Sequence, residues 1–341
     1  MTAPVTFAPP LANSATVEMT YAQALRTALS DALEHDPAIM LLGEDIGAYG
    51  GTFRVTDGLQ ARFGAERVRD TPIAENGFVG AAVGLALGGL HPVVEIMFAD
   101  FLLVCADALF NQIGKLPVMT GGQAHLPIVI RTQGGAYRGS GPQHSQSLEA
   151  LFCHFPGFQV VMPATPYDAR GLLTAALQSD RPVAVIEHKL LYPTKGQVPT
   201  APYALPLDKA EVKRAGTDVT IVSISRALLT ALDAAEALAQ DGISAEVIDA
   251  RSVKPLDMAT INASLAKTHR LVVVHEAYRS CGVGAEILAR IAEDPEAFYL
   301  LEAPLRRVTG RDWPIPASKP LEDATLPQVA DVVAAVKAQM K

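Results

Sequence analysis

The chain has 341 residues, 49% of them hydrophobic and 19% charged. At about 150 residues per domain this predicts two packed domains and excludes a disordered polypeptide. A formal charge of −8, from 36 acidic against 28 basic residues, argues against a nucleic-acid surface, which needs a concentrated basic face. Three cysteines (Cys105, Cys153 and Cys281) sit among apolar or small residues and define no disulfide framework, so the expected location is a reducing, cytoplasmic one.

Residues 1–16 are rich in Pro, Ala and Thr and carry no charge. They lack the basic start and apolar core of a signal peptide and are expected to form a disordered tail. Thr20 is placed to cap a helix running to about His35. A short buried strand follows at 38–43, a helix at 57–63, a helix from about Glu75 and a strand at 92–97. The most apolar stretch, 78–90, is diluted by glycine and too short to span a bilayer, so no membrane contact is expected. Residues 99–115 read as a helix, and 127–131, 159–163 and 183–187 as strands, with a helix at 166–178. Strands alternating with helices of this length predict a parallel sheet in an α/β domain over 17–192. Residues 193–217 hold Pro193, Pro199, Pro202 and Pro206 without periodicity and predict a linker. Strands at 219–225, 245–251 and 270–277, with helices at 227–240, 283–293 and 327–341, predict a smaller α/β domain over 218–341.

Several signals are missing. The sequence has no G-x-x-x-x-G-K-[ST], no complete G-x-G-x-x-G, no C-x-x-C, no H-E-x-x-H and no G-x-S-x-G. This excludes a P-loop, a dinucleotide fingerprint, the usual zinc spacings and the commonest serine-hydrolase signal.

Residues 70–101, DTPIAENGFVGAAVGLALGGLHPVVEIMFADF, are the most informative segment. Glu75 falls at a helix start, where free amides and the helix dipole favour a carboxylate. Gly77, Gly80, Gly84 and Gly88 follow on one helical face. Each costs about 1 kcal/mol relative to Ala in a helix interior. The stripe therefore implies close approach of another backbone, a flat ligand, or the helix's own sheet.

With GEDIG (43–47), DTPIAENGFVGAAVG (70–84), EIMFADF (95–101), MTGG (119–122), PIVIRT (127–132), QHSQS (143–147), PGFQVVMPATPYDARGLL (156–173), EHKLLY (187–192), EVIDARSVKPLD (246–257) and VVVHEA (272–277), the chain resembles a known family over residues 17–335. This is the β subunit of the thiamine diphosphate-dependent decarboxylase component of 2-oxo acid dehydrogenase complexes. EIMFADFLLVC and EHKLLY lean toward its pyruvate and acetoin types. The resemblance implies an α/β fold: a thiamine diphosphate-binding, transketolase-like pyrimidine domain with a parallel sheet, then a smaller transketolase-type C-terminal domain. It implies an oxidoreductase subunit that decarboxylates a 2-oxo acid or cleaves acetoin and reductively acylates a lipoyl group on a partner acyltransferase. The alternatives are the β half of a split transketolase and a non-catalytic scaffold of the same fold. The loop at 134–146 offers only Arg138 and His144 for the phosphate contacts of the first, and the presence of Glu75, Phe101 and His144 together speaks against the second.

The resemblance also implies roles for particular residues. Glu75 hydrogen-bonds the aminopyrimidine of the cofactor and supports the tautomer that removes the thiazolium proton. Phe101 packs on that ring. His144, in a Gly/Ser-rich loop, faces substrate, where an imidazole can donate or accept a proton. Glu44 follows a strand at the edge where α/β proteins bind ligands, and is either a cofactor-side group or a buried helix-capping carboxylate. His35, His91 and His125 lie at element ends, while His154, His188, His269 and His275 adjoin apolar runs and read as interior groups.

In relatives, carbonyls at positions matching Ile128, Ala176 and Leu177 hold a structural monovalent cation such as K⁺, although Ser179 and Arg181 depart from the usual pattern there. No GDG motif occurs in the chain. A diphosphate needs a metal or a cationic nest. A separate α subunit is therefore expected to bring Mg²⁺ and the diphosphate half, with the cofactor at the interface of an α₂β₂ tetramer. Trp313 and the apolar face of the last helix are candidates for an interface or for local core.

Overall fold

The computed structural model describes residues 14–341. The expected tail therefore falls largely on residues 1–13, outside the described residues, and Thr16 already belongs to a strand. The chain forms two compact units: residues up to 134 together with 151–207, and residues 135–150 together with 208–341.

The first unit runs β1 (Thr16–Thr20), α1 (Tyr21–His35), β2 (Ile39–Gly43), α2 (Leu59–Phe63), β3 (Val68–Asp70), α3 (Glu75–Leu87) and β4 (His91–Ile96). It continues through α4 (Leu116–Met119), β5 (Val129–Gly134), α5 (Glu149–His154, whose first two residues belong to the second unit), β6 (Gln159–Val161), α6 (Pro166–Leu177), β7 (Val183–His188) and β8 (Lys195–Pro199). Its strands β6, β7, β5, β4, β2 and β3 lie side by side in that order, all parallel. β2, β5 and β7 are buried at every position, which is why they read as unbroken runs rather than alternating ones. α1 begins in a capping box. Thr20 Oγ1 accepts from Gln23 N at 3.1 Å, and Gln23 Oε1 accepts from Thr20 N at 2.8 Å.

Two expectations are corrected here. Residues 99–115 are not one α-helix but a 3₁₀ turn over Ala99–Leu103 and a π-helix over Asp107–Ile113. On its exposed face Asp107 accepts from Asn111 at 2.7 Å and from Gln112, five residues on, at 3.3 Å. The proline-rich stretch 193–217 is not featureless. β8 pairs antiparallel with β1, and a strand at Glu211–Arg214 joins the second sheet. Pro199 is tolerated because it ends its strand in a two-stranded ribbon.

The second unit holds β9 (Glu211–Arg214), β10 (Val219–Ser223), α7 (Ala227–Gln240), β11 (Ala245–Asp249), β12 (Ser252–Lys254), α8 (Met258–Thr268) and β13 (Leu271–Tyr278). It ends with α9 (Val283–Glu293), α10 (Pro295–Phe298), β14 (Arg306–Gly310), α11 (Lys319–Thr325) and α12 (Val329–Gln339). Its sheet order is β14, β13, β10, β11, β9, parallel except for β9. Trp313 is 57% exposed, so it is not local core. Among the described residues, no helix is long and apolar enough to cross a membrane.

Candidate active site

β2 and β3 are parallel neighbours with Gly43 opposite Asp70. Glu44 follows the first strand, and Glu75 opens the helix that follows the second. Both carboxylates therefore leave the carboxyl edge of the sheet, where α/β folds place ligands. A Cβ at Gly43 would come within 2.9 Å of the Glu95 carbonyl oxygen, so the strand can end there only with glycine. Ala74, before α3, offers no side-chain cap, and Glu75 lies in the first turn, the end of the helix that favours a negative charge.

Glu44 and Glu75 are each only 7% exposed. Glu44 Oε1 is buried with no hydrogen-bond partner among the described residues. Burial, then the Glu75 and Asp45 carboxylates, push Glu44 up to about 7. Burial and Glu75 together push the Cys105 thiol up to about 12. Glu75 thus acts electrostatically on both groups. Cys105 Sγ lies 3.6 Å from the Phe101 carbonyl oxygen, which puts Phe101 on the same turn. Phe101 is half-buried, and its ring meets Phe98 edge-on at 5.6 Å. Phe53 meets Phe98 edge-on at 6.4 Å and stacks on Tyr192 at 4.6 Å. The structure thus brings Glu44 and Glu75 within electrostatic reach of each other and sets Phe101 one turn before Cys105.

The glycine stripe does not wedge α3 against its own sheet. The buried face of that helix is Glu75, Phe78, Val79, Ala82 and Ala86, while Gly77, Gly80, Gly84 and Gly88 are exposed. A Cβ at Gly80 or Gly84 would meet nothing within 4 Å.

Beneath the site lies a cluster that motif reading missed. Arg131 on β5 donates to Glu95 on β4 at 2.6 Å and to Glu187 on β7 at 2.7 and 2.9 Å. Tyr192 donates to Glu187 at 2.6 Å. Burial opposes the Arg131 charge, but Glu187 and Glu95 outweigh it and raise its affinity for its proton. Burial and the Glu187 carboxylate push the Tyr192 phenol well above its ordinary value. The available signal was one charged residue near the end of each apolar strand, in PVVEI, IVIR and VAVIEH.

His144 belongs to the other unit, in the loop 135–150, and is half-buried. Its backbone N donates to the Gly141 carbonyl at 3.3 Å. Ile128, Ala176 and Leu177 are buried in the first unit. The Ile128 oxygen accepts from Val183 N at 3.0 Å and the Ala176 oxygen from Ser179 N at 3.2 Å. Ser179 Oγ donates to the Arg181 oxygen at 3.1 Å.

The raised Glu44 has a pH signature. Between its ordinary value of 4.5 and about 7, the folded chain keeps a proton that the unfolded chain releases. The stability Glu44 contributes is complete below that interval and is lost as pH rises through about 7. Glu44→Gln is expected to remove this loss. In urea unfolding, the variant should gain on the order of 1 kcal/mol relative to wild type between about pH 5 and pH 8, after allowance for solvent screening.

Residues 17–195 match the family described as transketolase, pyrimidine binding domain, and residues 208–332 match the transketolase C-terminal domain. Fold and site thus define a transketolase-type α/β protein whose implied cofactor is thiamine diphosphate. The chain is 45% identical over 329 residues to pyruvate dehydrogenase E1 component subunit beta-2, mitochondrial, of Oryza sativa subsp. japonica, covering 95% of this chain and 87% of that one. It is 46% identical over 315 residues to subunit beta-4, chloroplastic, of the same organism, covering 92% and 78%. A solved structure described as a split gene transketolase, inactive beta4 tetramer, matches with a TM-score of 0.78 at 25% identity, covering 94% of this chain and 98% of that one. The chain belongs to the family of pyruvate dehydrogenase E1 component β subunits. The cytoplasmic expectation is overturned, because these rice relatives are mitochondrial and chloroplastic proteins. Cysteine usage reports a chain without a disulfide framework and does not name a compartment.

Proposed function

We propose that this chain supplies half of the active site of a pyruvate-type 2-oxo acid dehydrogenase. Glu75, Glu44 and Phe101 would hold the aminopyrimidine end of thiamine diphosphate, and an α subunit, in an α₂β₂ tetramer, would hold the diphosphate through Mg²⁺. One observation carries this reading: two buried carboxylates at the carboxyl edge of the sheet, with Glu44 Oε1 lacking a hydrogen-bond partner among the described residues. An aminopyrimidine, with an amino group and ring nitrogens, supplies what such a pair lacks. When bound, the cofactor supplies the nucleophilic carbon and the electron sink for decarboxylation.

The chain's own groups do the rest. Glu75 would hold the aminopyrimidine by hydrogen-bonding one of its ring nitrogens. Glu44, pushed up to about 7, keeps its proton more readily than an ordinary glutamate and relieves the crowding of negative charge. Phe101 offers an apolar face that excludes water. His144 moves a proton at the substrate's oxo oxygen through an imidazole nitrogen. The acyl product passes to a lipoyl group on an acyltransferase partner. The carbonyl oxygens of Ile128, Ala176 and Leu177 each keep a lone pair with which they would hold a structural monovalent cation such as K⁺. Pyruvate is favoured over the sugar phosphates of a transketolase by the identities of 45% and 46% to the rice relatives, against 25% to the split gene transketolase.

The test is reconstitution. Co-expressed with an α subunit, the chain should bind thiamine diphosphate with Mg²⁺, decarboxylate pyruvate with ferricyanide as acceptor, and acetylate a lipoyl domain. The chain alone should show no binding by calorimetry. Tight binding by the isolated chain, or turnover of sugar phosphates in place of pyruvate, would overturn the reading.

A further inference from the structure

The segment 135–150 leaves the pyrimidine-binding sequence after β5, yet it folds with the second unit. Two carboxylates of that unit hold it by its backbone. Ala136 N donates to Glu276 Oε1 at 2.6 Å, and Gly139 N donates to Glu322 Oε2 at 2.8 Å. Glu276 lies near the carboxyl end of β13, and Glu322, only 2% exposed, lies in α11. Hydrogen bonds to an ionised carboxylate are about twice as strong as neutral ones, and stripping the acceptor from a buried donor carries a desolvation penalty.

The loop between these anchors is tightly bent. Arg138, Gly139 and Gly141 have left-handed φ values of 49°, 76° and 80°. A Cβ at Gly139 would lie 2.3 Å from the Ala317 carbonyl oxygen, so the connection after β14 presses directly on the loop. The far end is tied as well. Gly135 N donates to the Gln146 oxygen at 3.0 Å. His144 sits inside this strapped segment.

We propose that Glu276 and Glu322 are positioning residues that fix the loop presenting His144, so that the C-terminal domain sets the rate of the reaction without touching substrate. This rests on the assignment of His144 as a reacting group. A misplacement of about 1 Å in a reacting group costs on the order of 10²-fold in rate.

The test uses the assembled α/β enzyme with pyruvate and ferricyanide. Glu322→Ala should lower kcat by roughly 10- to 100-fold, with KM and thiamine diphosphate affinity within about twofold of wild type. Glu322→Gln, which keeps an acceptor oxygen, should recover most of the loss. The decisive measurement is a double-mutant cycle. In a His144→Ala background, Glu322→Ala should change kcat by less than about twofold, because there is no longer an imidazole to misplace. An equal loss in both backgrounds means a merely structural role and overturns the proposal. So does an active Glu322→Ala beside a crippled His144→Ala. An active His144→Ala would instead remove the role assigned to His144, and this proposal with it. Should Glu322→Ala fail to assemble, Glu276→Ala and Glu276→Gln run the same cycle at the half-buried anchor, with the same outcomes deciding.

Discussion

Glu75→Gln is expected to lower pyruvate turnover of the assembled enzyme by roughly 10²- to 10⁴-fold, the usual contribution of a positioned acid–base group. The substitution keeps the shape of the side chain and removes only its charge and its capacity to hold a proton. Losing a carboxylate at a helix start costs about 0.3–1 kcal/mol, too little to unfold the chain. Assembly with the α subunit, read by size-exclusion chromatography, should be unchanged. The substitution also removes one of the charges that push Glu44 up to about 7. Glu44 should then titrate closer to an ordinary glutamate, which is readable in the pH dependence of urea unfolding. Wild-type turnover in Glu75→Gln would remove this residue from the chemistry.

Arg131→Ala is expected to destabilise the chain by about 3–5 kcal/mol. Total stabilities of folded domains are only about 5–15 kcal/mol, so poor expression or a strongly lowered midpoint in denaturant should follow. The guanidinium is buried between Glu95 and Glu187. Without it, two buried carboxylates face each other with only the Tyr192 hydroxyl against Glu187. Tyr192→Phe breaks a single hydrogen bond to an ion and should cost about 1.5–3 kcal/mol. If Arg131→Ala proved no more costly than Tyr192→Phe, the cluster would not be the electrostatic keystone its geometry describes.

Much of this was legible from residue order because local rules and global fold agree. Thr20 and Gln23 announced the first helix by their spacing, and the apolar runs of the central strands announced a sheet buried on both faces. Glu75 stood out because a lone carboxylate opened a glycine-striped helix. What escaped notice depends on distant partners. The π-helix at 107–113, bridged on its exposed side by Asn111 and Gln112 to Asp107, stands where apolar periodicity alone predicts an ordinary helix. The strand at 195–199 exists because β1 is there to pair with it. Membership of 135–150 in the second unit rests on Glu276 and Glu322, more than a hundred residues away, which no local window contains. The Arg131 cluster likewise needs three strands at once.

That last dependence has a consequence for how the chain reaches a single structure. Glu95 lies opposite Arg131, and Glu187 opposite Gln133, in the ladders between β4, β5 and β7. Sliding β5 by one residue would turn Arg131 to the other side of the sheet and strand both acids among apolar neighbours. Apolar strands as alike as VVEI, VIRT and AVIE could otherwise slip past one another at small cost. The three charges act as a proofreading key, making every misaligned sheet pay in unneutralised charge and leaving one alignment open.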